Sequence, residues 1–116
     1  MVQYELALDG IFHSLADATR RDMLSRVCKS ELNISALAQD YNMSFSAVAK
    51  HLRVLEKAKL ISKQRRGKEK VIVANPDSIS EALKHLELYK QRINERYAAL
   101  DNLLKEEAQH NRTRKL

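Results

Sequence analysis

Tryptophan, cysteine, proline and glycine are scarce in this sequence, and the scarcity of the last three restricts the kind of protein that it can be. Among 116 residues there are no tryptophan, one cysteine, one proline and two glycines. A single cysteine, Cys28, cannot form a disulfide within the chain, which indicates the reducing cytoplasm rather than a disulfide-stabilised secreted domain. So few prolines and glycines leave long stretches in which a helix can continue without interruption.

Long apolar segments are also missing. No run approaches the roughly 20 apolar residues that span a bilayer, and the first ten residues lack the basic, then apolar, then small-residue order of a secretory signal. Apolar residues make up 44% and charged residues 31% of the chain, which is typical of a folded globular protein. We therefore expect a cytoplasmic protein with one small core and no membrane segment.

Positive charge is concentrated in the middle of the chain. The net charge is +6, yet residues 44–76 alone carry nine Lys or Arg against two acidic residues. This concentration on one segment is the electrostatic signature of a protein that binds a polyanion such as duplex DNA. The nine cationic residues are Lys50, Arg53, Lys57, Lys59, Lys63, Arg65, Arg66, Lys68 and Lys70.

Apolar residues at helical spacing predict two amphipathic helices before residue 30. The first helix would bury positions i, i+3, i+4 and i+7. The second should begin after Asp17, whose carboxylate can accept hydrogen bonds from the first-turn N–H groups. Cys28 is predicted to be a buried apolar residue of this helix rather than a metal ligand. The other apolar residues of the two helices are Leu8, Ile11, Phe12 and Leu15, then Met23, Leu24 and Val27.

Residues 34–74 predict a helix-turn-helix followed by a hairpin. Ser35 is expected to cap a short helix, and Ser44 or Ser46 to cap a longer recognition helix over residues 44–58. Two β-prone runs within residues 61–74 surround a turn that contains Gly67, which predicts a two-stranded hairpin. The expected fold is mostly α with a small β-hairpin, a winged helix-turn-helix of about five helices plus a two-stranded wing. The longer helix would bury Val48, Leu52 and Leu55.

The last helix should begin at Pro76, with Asp77 and Ser78 supplying cap oxygens. Its apolar residues recur at alternating steps of four and three, the pattern of a coiled-coil seam, with one interruption at Lys90. The seam can pack on the chain's own first helix or on that of a second copy, and its length favours a homodimer. The polar residues 108–116 predict a flexible tail after a domain of residues 1–107. The predicted dimer interface consists of Leu8, Ile11, Leu83, Leu86, Ile93, Tyr97, Leu100 and Leu104.

Three segments resemble the ArsR/SmtB family of transcriptional regulators. They are LADATRRDML at 15–24, ISALA at 34–38 and SFSAVAKHLRVLEKAKLI at 44–61. The resemblance implies a homodimeric regulator, most often a repressor, that reads a pseudo-palindromic double-stranded operator. The resemblance and the helical faces together predict that DNA is bound by Ser44, Phe45, Ser46, Ala49, Lys50, His51, Arg53, Lys63, Arg65, Arg66 and Lys68.

The chain departs from the family pattern in two places. Metal-sensing members carry a Cys-x-Cys-type motif at the start of the short helix, where this chain has residues 33–35, Asn-Ile-Ser. The chain therefore resembles the metal-free branch of the family. We expect no metal and no other cofactor, since Asp77, His85, Glu87 and His110 also lack a recognisable ligand spacing. Lys59 stands where relatives usually carry glycine, which predicts a residue with positive φ.

Other functions compatible with these patterns form a short set. A metal-responsive repressor would have the same fold, and a winged-helix module could use its basic surface for RNA or for an acidic protein. A coiled-coil adaptor is a further alternative, but the predicted hairpin and the charged helix argue against it. No Gly-rich phosphate loop and no nucleophile with a nearby base are found, so catalysis is not expected. The sequence does not define the operator or a small-molecule effector.

Overall fold

The computed structural model describes the backbone of residues 2–114 and the side chains of residues 7–112. Within this range the chain forms five helices and three strands, which confirms the predicted winged helix-turn-helix. The elements are α1 (Val2–Leu15), α2 (Ala18–Lys29), β1 (Leu32–Asn33), α3 (Ile34–Gln39), α4 (Phe45–Lys57), β2 (Ile61–Arg66), β3 (Glu69–Ala74) and α5 (Pro76–Arg114).

The sheet has three antiparallel strands in the order β1-β3-β2. The predicted hairpin is its β2–β3 part, with Ile61 opposite Ala74 and Arg66 opposite Glu69. The additional strand β1 pairs Leu32 with Ile72, at the base of the hairpin. The prediction of a two-stranded sheet was therefore incomplete, because a strand of two residues is too short to show an alternating pattern.

The described residues up to Ala82 form one compact unit, whose core lies among the first four helices, the base of the sheet and the start of α5. Ile11 is only 5% exposed and packs in this core. Its side chain therefore has little surface left to offer to a second copy, and its place in a dimer interface stays a prediction. The other buried core residues are Met23, Leu24, Val27, Leu37, Val48, Leu52, Leu55, Leu60, Ile61, Ile72 and Ala82.

Cys28 is exposed, which corrects the prediction that it is buried. The buried stripe of α2 ends at Val27, whereas Cys28 shares the solvent face with Arg21 and Ser25. Residues at i, i+4 and i+7 of a helix lie on one side. Cys28 therefore lies just beyond the edge of the core face.

The helix caps follow the sequence in part. The Asp17 side chain accepts from the Arg20 N–H, as predicted. The cap of α3 is Asn33 rather than Ser35, since the Asn33 Oδ1 accepts from the Ala36 N–H at 2.7 Å. At the start of α5, the capping oxygen comes from Asn75 and not from Asp77 or Ser78, the residues that the sequence predicted.

The side-chain oxygen of Asn75 accepts from the Asp77 N–H at 3.1 Å. Ser78 instead donates its hydroxyl proton to the Lys59 carbonyl at 2.9 Å, which ties the start of α5 to the loop after α4. The predicted capping roles of Asp77 and Ser78 are thus replaced by a different pair of contacts.

The second unit, residues 83–116, consists of the rest of α5 as far as the structure describes it. The helix has 39 residues, or about 58 Å at the usual rise. It continues through Arg114, so the predicted flexible tail is helical over residues 108–114, and residues 115 and 116 lie outside the described chain. Polar residues such as Glu106 and Glu107 are good helix formers, and no Gly or Pro ends the helix there.

Candidate nucleic-acid interface

The N-terminus of α4 is fixed by a side-chain cap. The Ser44 Oγ accepts from the Ala47 N–H at 3.1 Å, so Ser44 is the cap among the two serines considered. Val48, Leu52 and Leu55 are buried, as their spacing predicted. This anchorage leaves the opposite side of α4 available to solvent.

The exposed side of α4 presents polar, cationic and aromatic groups together. Phe45 is 56% exposed, although a large aromatic side chain usually finds a place in the core. Such a ring can contact a thymine methyl group in the major groove, where basic side chains can bond to guanine. Among the predicted DNA-binding residues of this segment, Ser44, Phe45, Ser46, Lys50 and Arg53 are exposed, whereas Ala49 and His51 are half-buried.

His51 lies close enough to Asp17 to affect its ionisation. The pKa of Asp17 is lowered mainly by the hydrogen bond from the Arg20 N–H, with smaller contributions from the charges of Arg20 and His51. His51 thus lies on the flank of α4 that faces the start of α2.

Arg20 and Arg21, which follow Thr19, donate to the last carbonyls of α1 and are not part of the exposed cationic side of α4 and the hairpin. Arg20 donates to the carbonyls of Ser14 and His13 at 2.7 and 3.1 Å, and Arg21 donates to the Leu15 carbonyl at 2.8 Å. The last carbonyls of a helix have no partner within the helix. These bonds satisfy three of them and join α1 to α2.

The hairpin carries a row of cations on one face. Arg65 pairs directly with Lys70 across the two strands, and Lys63 lies two residues from Arg65 on the same face. Side chains alternate between the two faces of a strand, and like charges directly opposite each other destabilise a sheet. An anion bound between Arg65 and Lys70 would remove this repulsion. The tip beyond them contains Gly67, with φ of 66°, and the exposed Lys68.

Arg66 belongs to the other face and already has a partner. Its guanidinium forms an ion pair with Glu31 at 2.9 Å. The carboxylate holds the wing to the segment between α2 and β1. Arg66 is therefore a weaker candidate for DNA contact than Arg65, a distinction that the charge pattern does not reveal.

Two further features bear on alternative functions. Among residues 7–112, no group of three His, Cys, Asp or Glu side chains converges in a way that could hold a metal ion. Across the part of the chain that the structure describes, no helix is both long and apolar enough to cross a membrane.

A short helix, a turn and an exposed helix, followed by a cationic hairpin, define the winged helix-turn-helix class of DNA-binding proteins. The model of the "Bacterial regulatory protein, arsR family" matches residues 17–63, which include the second through fourth helices and the first residues of the wing. The chain belongs to the arsR family and is a DNA-binding transcriptional regulator. The family consists of regulators rather than enzymes.

Similar proteins extend the match beyond this segment. The HTH-type transcriptional regulator YuzN of Bacillus subtilis, described as uncharacterized, is 36% identical over 83 residues, which cover 66% of this chain and 90% of YuzN. The transcriptional repressor SdpR of the same organism is 28% identical over 60 residues, or 52% of this chain and 67% of SdpR.

A solved structure agrees with the fold over most of its length. The ArsR-like transcriptional regulator from Rhodococcus sp. RHA1 superposes with a TM-score of 0.74 at 26% sequence identity. The match covers 85% of this chain and 93% of that protein.

Proposed function

We propose that the protein is a homodimeric repressor that binds a pseudo-palindromic DNA operator. In this proposal α4 enters the major groove and reads base edges, while the hairpin contacts the phosphate backbone beside it. A two-fold dimer presents two such helices to successive turns of the duplex, so the operator has matching symmetry.

The observation that carries the proposal is the cation row formed by Lys63, Arg65 and Lys70. The cross-strand pairing of Arg65 with Lys70 lowers the stability of the wing. The repulsion between the two cations is offset when a phosphate lies between them. The exposed Phe45, Lys50 and Arg53 of α4 supply the groups suited to base edges.

Dimerisation is supported by apolar surface in each unit. Along α5, Leu86, Ile93 and Tyr97 are between 50% and 66% exposed, which is unfavourable for an isolated helix in water. Beside α1, an open groove of about 840 Å³ is lined partly by Leu8 and Ala58. We infer that contacts between two copies cover the α5 seam and Leu8.

Repression is the mode of regulation that we propose. SdpR, whose sequence is similar to about half of this chain, is a repressor. A dimer seated on an operator can exclude other proteins from the same DNA. The protein would act in the cytoplasm, where bacterial DNA lies, and the proposal includes no metal or other cofactor.

The first test is selection from a pool of random-sequence duplexes at near-physiological salt. We expect a two-fold-symmetric sequence to be enriched and to bind at least about 10³-fold tighter than the starting pool. Uniform binding that disappears as salt is added would contradict the proposal, because it would mean attraction to phosphate without sequence reading. Preference for RNA or for an acidic protein would contradict it in another way.

Two kinds of variant separate base reading from phosphate contact. Lys50→Ala should relax the sequence preference, whereas Lys84→Ala, an exposed lysine of α5, serves as its control. Arg65→Ala should weaken binding to all sequences alike and reduce the slope of log affinity against log salt by about one. Because Arg65→Ala also removes a like-charge pair, it should not lower the free energy of unfolding.

A further inference from the structure

A closed cluster of four side chains links α2 to the turn between α3 and α4. The Arg26 guanidinium forms ion pairs with Asp22 at 3.3 Å and Asp40 at 2.5 Å. The Tyr41 hydroxyl donates to the same Asp22 carboxylate at 2.5 Å. Arg26 also lies over the Tyr41 ring, 5.0 Å from its centroid. Each of the four side chains thus contacts at least one of the others.

The cluster joins α2 to the turn that leads into α4, where Tyr41 also packs partly against the core. Arg26 and Asp22 project from α2, which is anchored in the core by Met23 and Val27. Asp40 and Tyr41 follow directly after α3, and only two residues separate Tyr41 from the cap of α4. The direction in which the chain enters α4 therefore depends on where these two residues are held.

The hydrogen bond between Tyr41 and Asp22 persists over the whole neutral range. Burial, together with the bond to Asp22, raises the pKa of Tyr41 to about 12, so its hydroxyl remains a donor. The bond from Tyr41 also holds the pKa of Asp22 below its usual value, so the acceptor stays ionised. We therefore expect this hydrogen bond to be insensitive to changes of pH near neutrality.

The charges of the cluster argue against direct contact with DNA. One guanidinium faces two carboxylates, so the cluster carries a net negative charge and does not attract phosphate. Arg26 is a basic residue close to a DNA-binding helix, yet both of its charged contacts are internal. Its effect on DNA binding must come through the position of the turn.

We propose that Arg26 and Tyr41 are positioning residues that orient α4 for sequence reading. The inference rests on the proposed role of α4 in reading base edges. A complex on the preferred sequence needs α4 in one orientation, and a pre-formed turn removes the cost of ordering it on binding. Binding to random DNA depends on phosphate contacts and tolerates several orientations. Loosening the turn should therefore reduce the ratio of specific to non-specific affinity.

The test is Tyr41→Phe, which removes one hydroxyl and changes no charge. We expect about tenfold weaker binding to a duplex of the sequence that the wild-type protein enriches most, since one hydrogen bond to a charged group is lost. Binding to random duplex should change less than about twofold, with an unchanged salt slope. Tyr89→Phe, a half-exposed tyrosine of α5, is the matched control and should leave both affinities unaltered.

Arg26→Lys is a second, independent variant. It keeps the positive charge but lacks the planar fork that reaches two carboxylates at once. The ratio of specific to non-specific affinity should fall in this variant too. If Tyr41→Phe does not fold, Arg26→Lys provides the measurement, and if neither variant folds, the cluster serves stability alone and the inference is overturned.

The remaining outcomes are distinct from a failure of the proposed function. If the wild-type protein enriches no sequence, both the proposed function and this inference are overturned. If the wild-type protein is selective and Tyr41→Phe is equally selective, only the inference is overturned. Equal losses on specific and random duplex would also overturn it, because orientation would then not be what the cluster controls.

Discussion

The arginine side chains of this protein differ in function according to the group that each one binds within the chain. Arg20 and Arg21 bind the last carbonyls of α1, and Arg26 binds two carboxylates. Arg66 binds Glu31. Exposed ion pairs of this kind contribute little to stability individually. A cation that already has a partner within the chain is, however, less available to bind DNA. The cations that best fit a phosphate-binding role are thus the cation row of the wing, Lys63, Arg65 and Lys70.

Lys59 is strained, which gives a prediction for a single residue. Its φ is 61°, as the comparison with glycine-bearing relatives predicted, and its N–H closes α4 by donating to the Glu56 carbonyl at 2.9 Å. The left-handed conformation is costly for a residue with a Cβ atom and not for glycine. We expect Lys59→Gly to raise the free energy of unfolding by about 0.5–1 kcal/mol, measured by urea denaturation.

The control for this prediction is Lys57→Gly, two residues earlier in α4. Lys57 is the last residue of α4 and its backbone is still helical, so glycine should lower the free energy of unfolding, by up to about 1 kcal/mol. Opposite signs for two identical substitutions would isolate the effect of φ. Equal losses at both positions would show that Lys59 is not strained in solution.

At the scale of the elements, the cap of α3 separates two neighbouring candidates. Asn33 accepts the Ala36 N–H, whereas Ser35, the residue favoured by sequence, is exposed within the helix. Asn33→Ala should cost about 1 kcal/mol of the free energy of unfolding. Ser35→Ala should change it by less than about 0.5 kcal/mol, as at an ordinary surface position. If urea denaturation showed a larger loss of the free energy of unfolding for Ser35→Ala than for Asn33→Ala, Ser35 would be the cap of α3 in solution.

The elements that the sequence predicts well are those with many repeated signals. Helix α4 combines a serine cap with three buried residues at helical spacing, and the hairpin has Gly67 between two β-prone runs. The strand β1 depends on pairing with distant residues of β3, Asn33 with Val71. The cap of α3 is a local choice between Asn33 and Ser35, two residue types that cap helices about equally well. The polarity of residues 108–114 predicts a flexible tail, although no Gly or Pro interrupts helix α5 there.

The candidate interface shows the same division. Exposure of Lys50 and Arg53 follows from the helical period, because they lie away from the buried stripe of α4. The pairing of Arg66 with Glu31 joins residues that are 35 positions apart, and no local pattern carries such a contact. The same holds for Tyr41 and Asp22. The DNA-binding roles of the predicted residues remain predictions until variants are measured.

At the scale of the whole molecule, the apolar seam of α5 is exposed among the described residues. The exposed side chains recur along residues 83–104, and an unpartnered helix of this kind is rarely stable in water by itself. Lys90 interrupts the seam, and a polar residue at one such position can restrict how two helices pair. A second copy would bury a surface that extends over several turns.

The dimer is therefore tested by placing a charge on the seam and, separately, beside it. Leu86→Glu introduces a carboxylate at a seam position that is 50% exposed, and Leu88→Glu does so at a position off the seam that is 40% exposed. We expect sedimentation velocity to give a dimer for the wild-type protein and for Leu88→Glu, and a monomer for Leu86→Glu, because the carboxylate would be buried in the interface. Leu86→Glu should also bind a duplex with two half-sites no better than a duplex with one. A monomeric wild-type protein, or equal effects of the two substitutions, would remove the α5 seam from the interface and leave the symmetric operator without its structural basis.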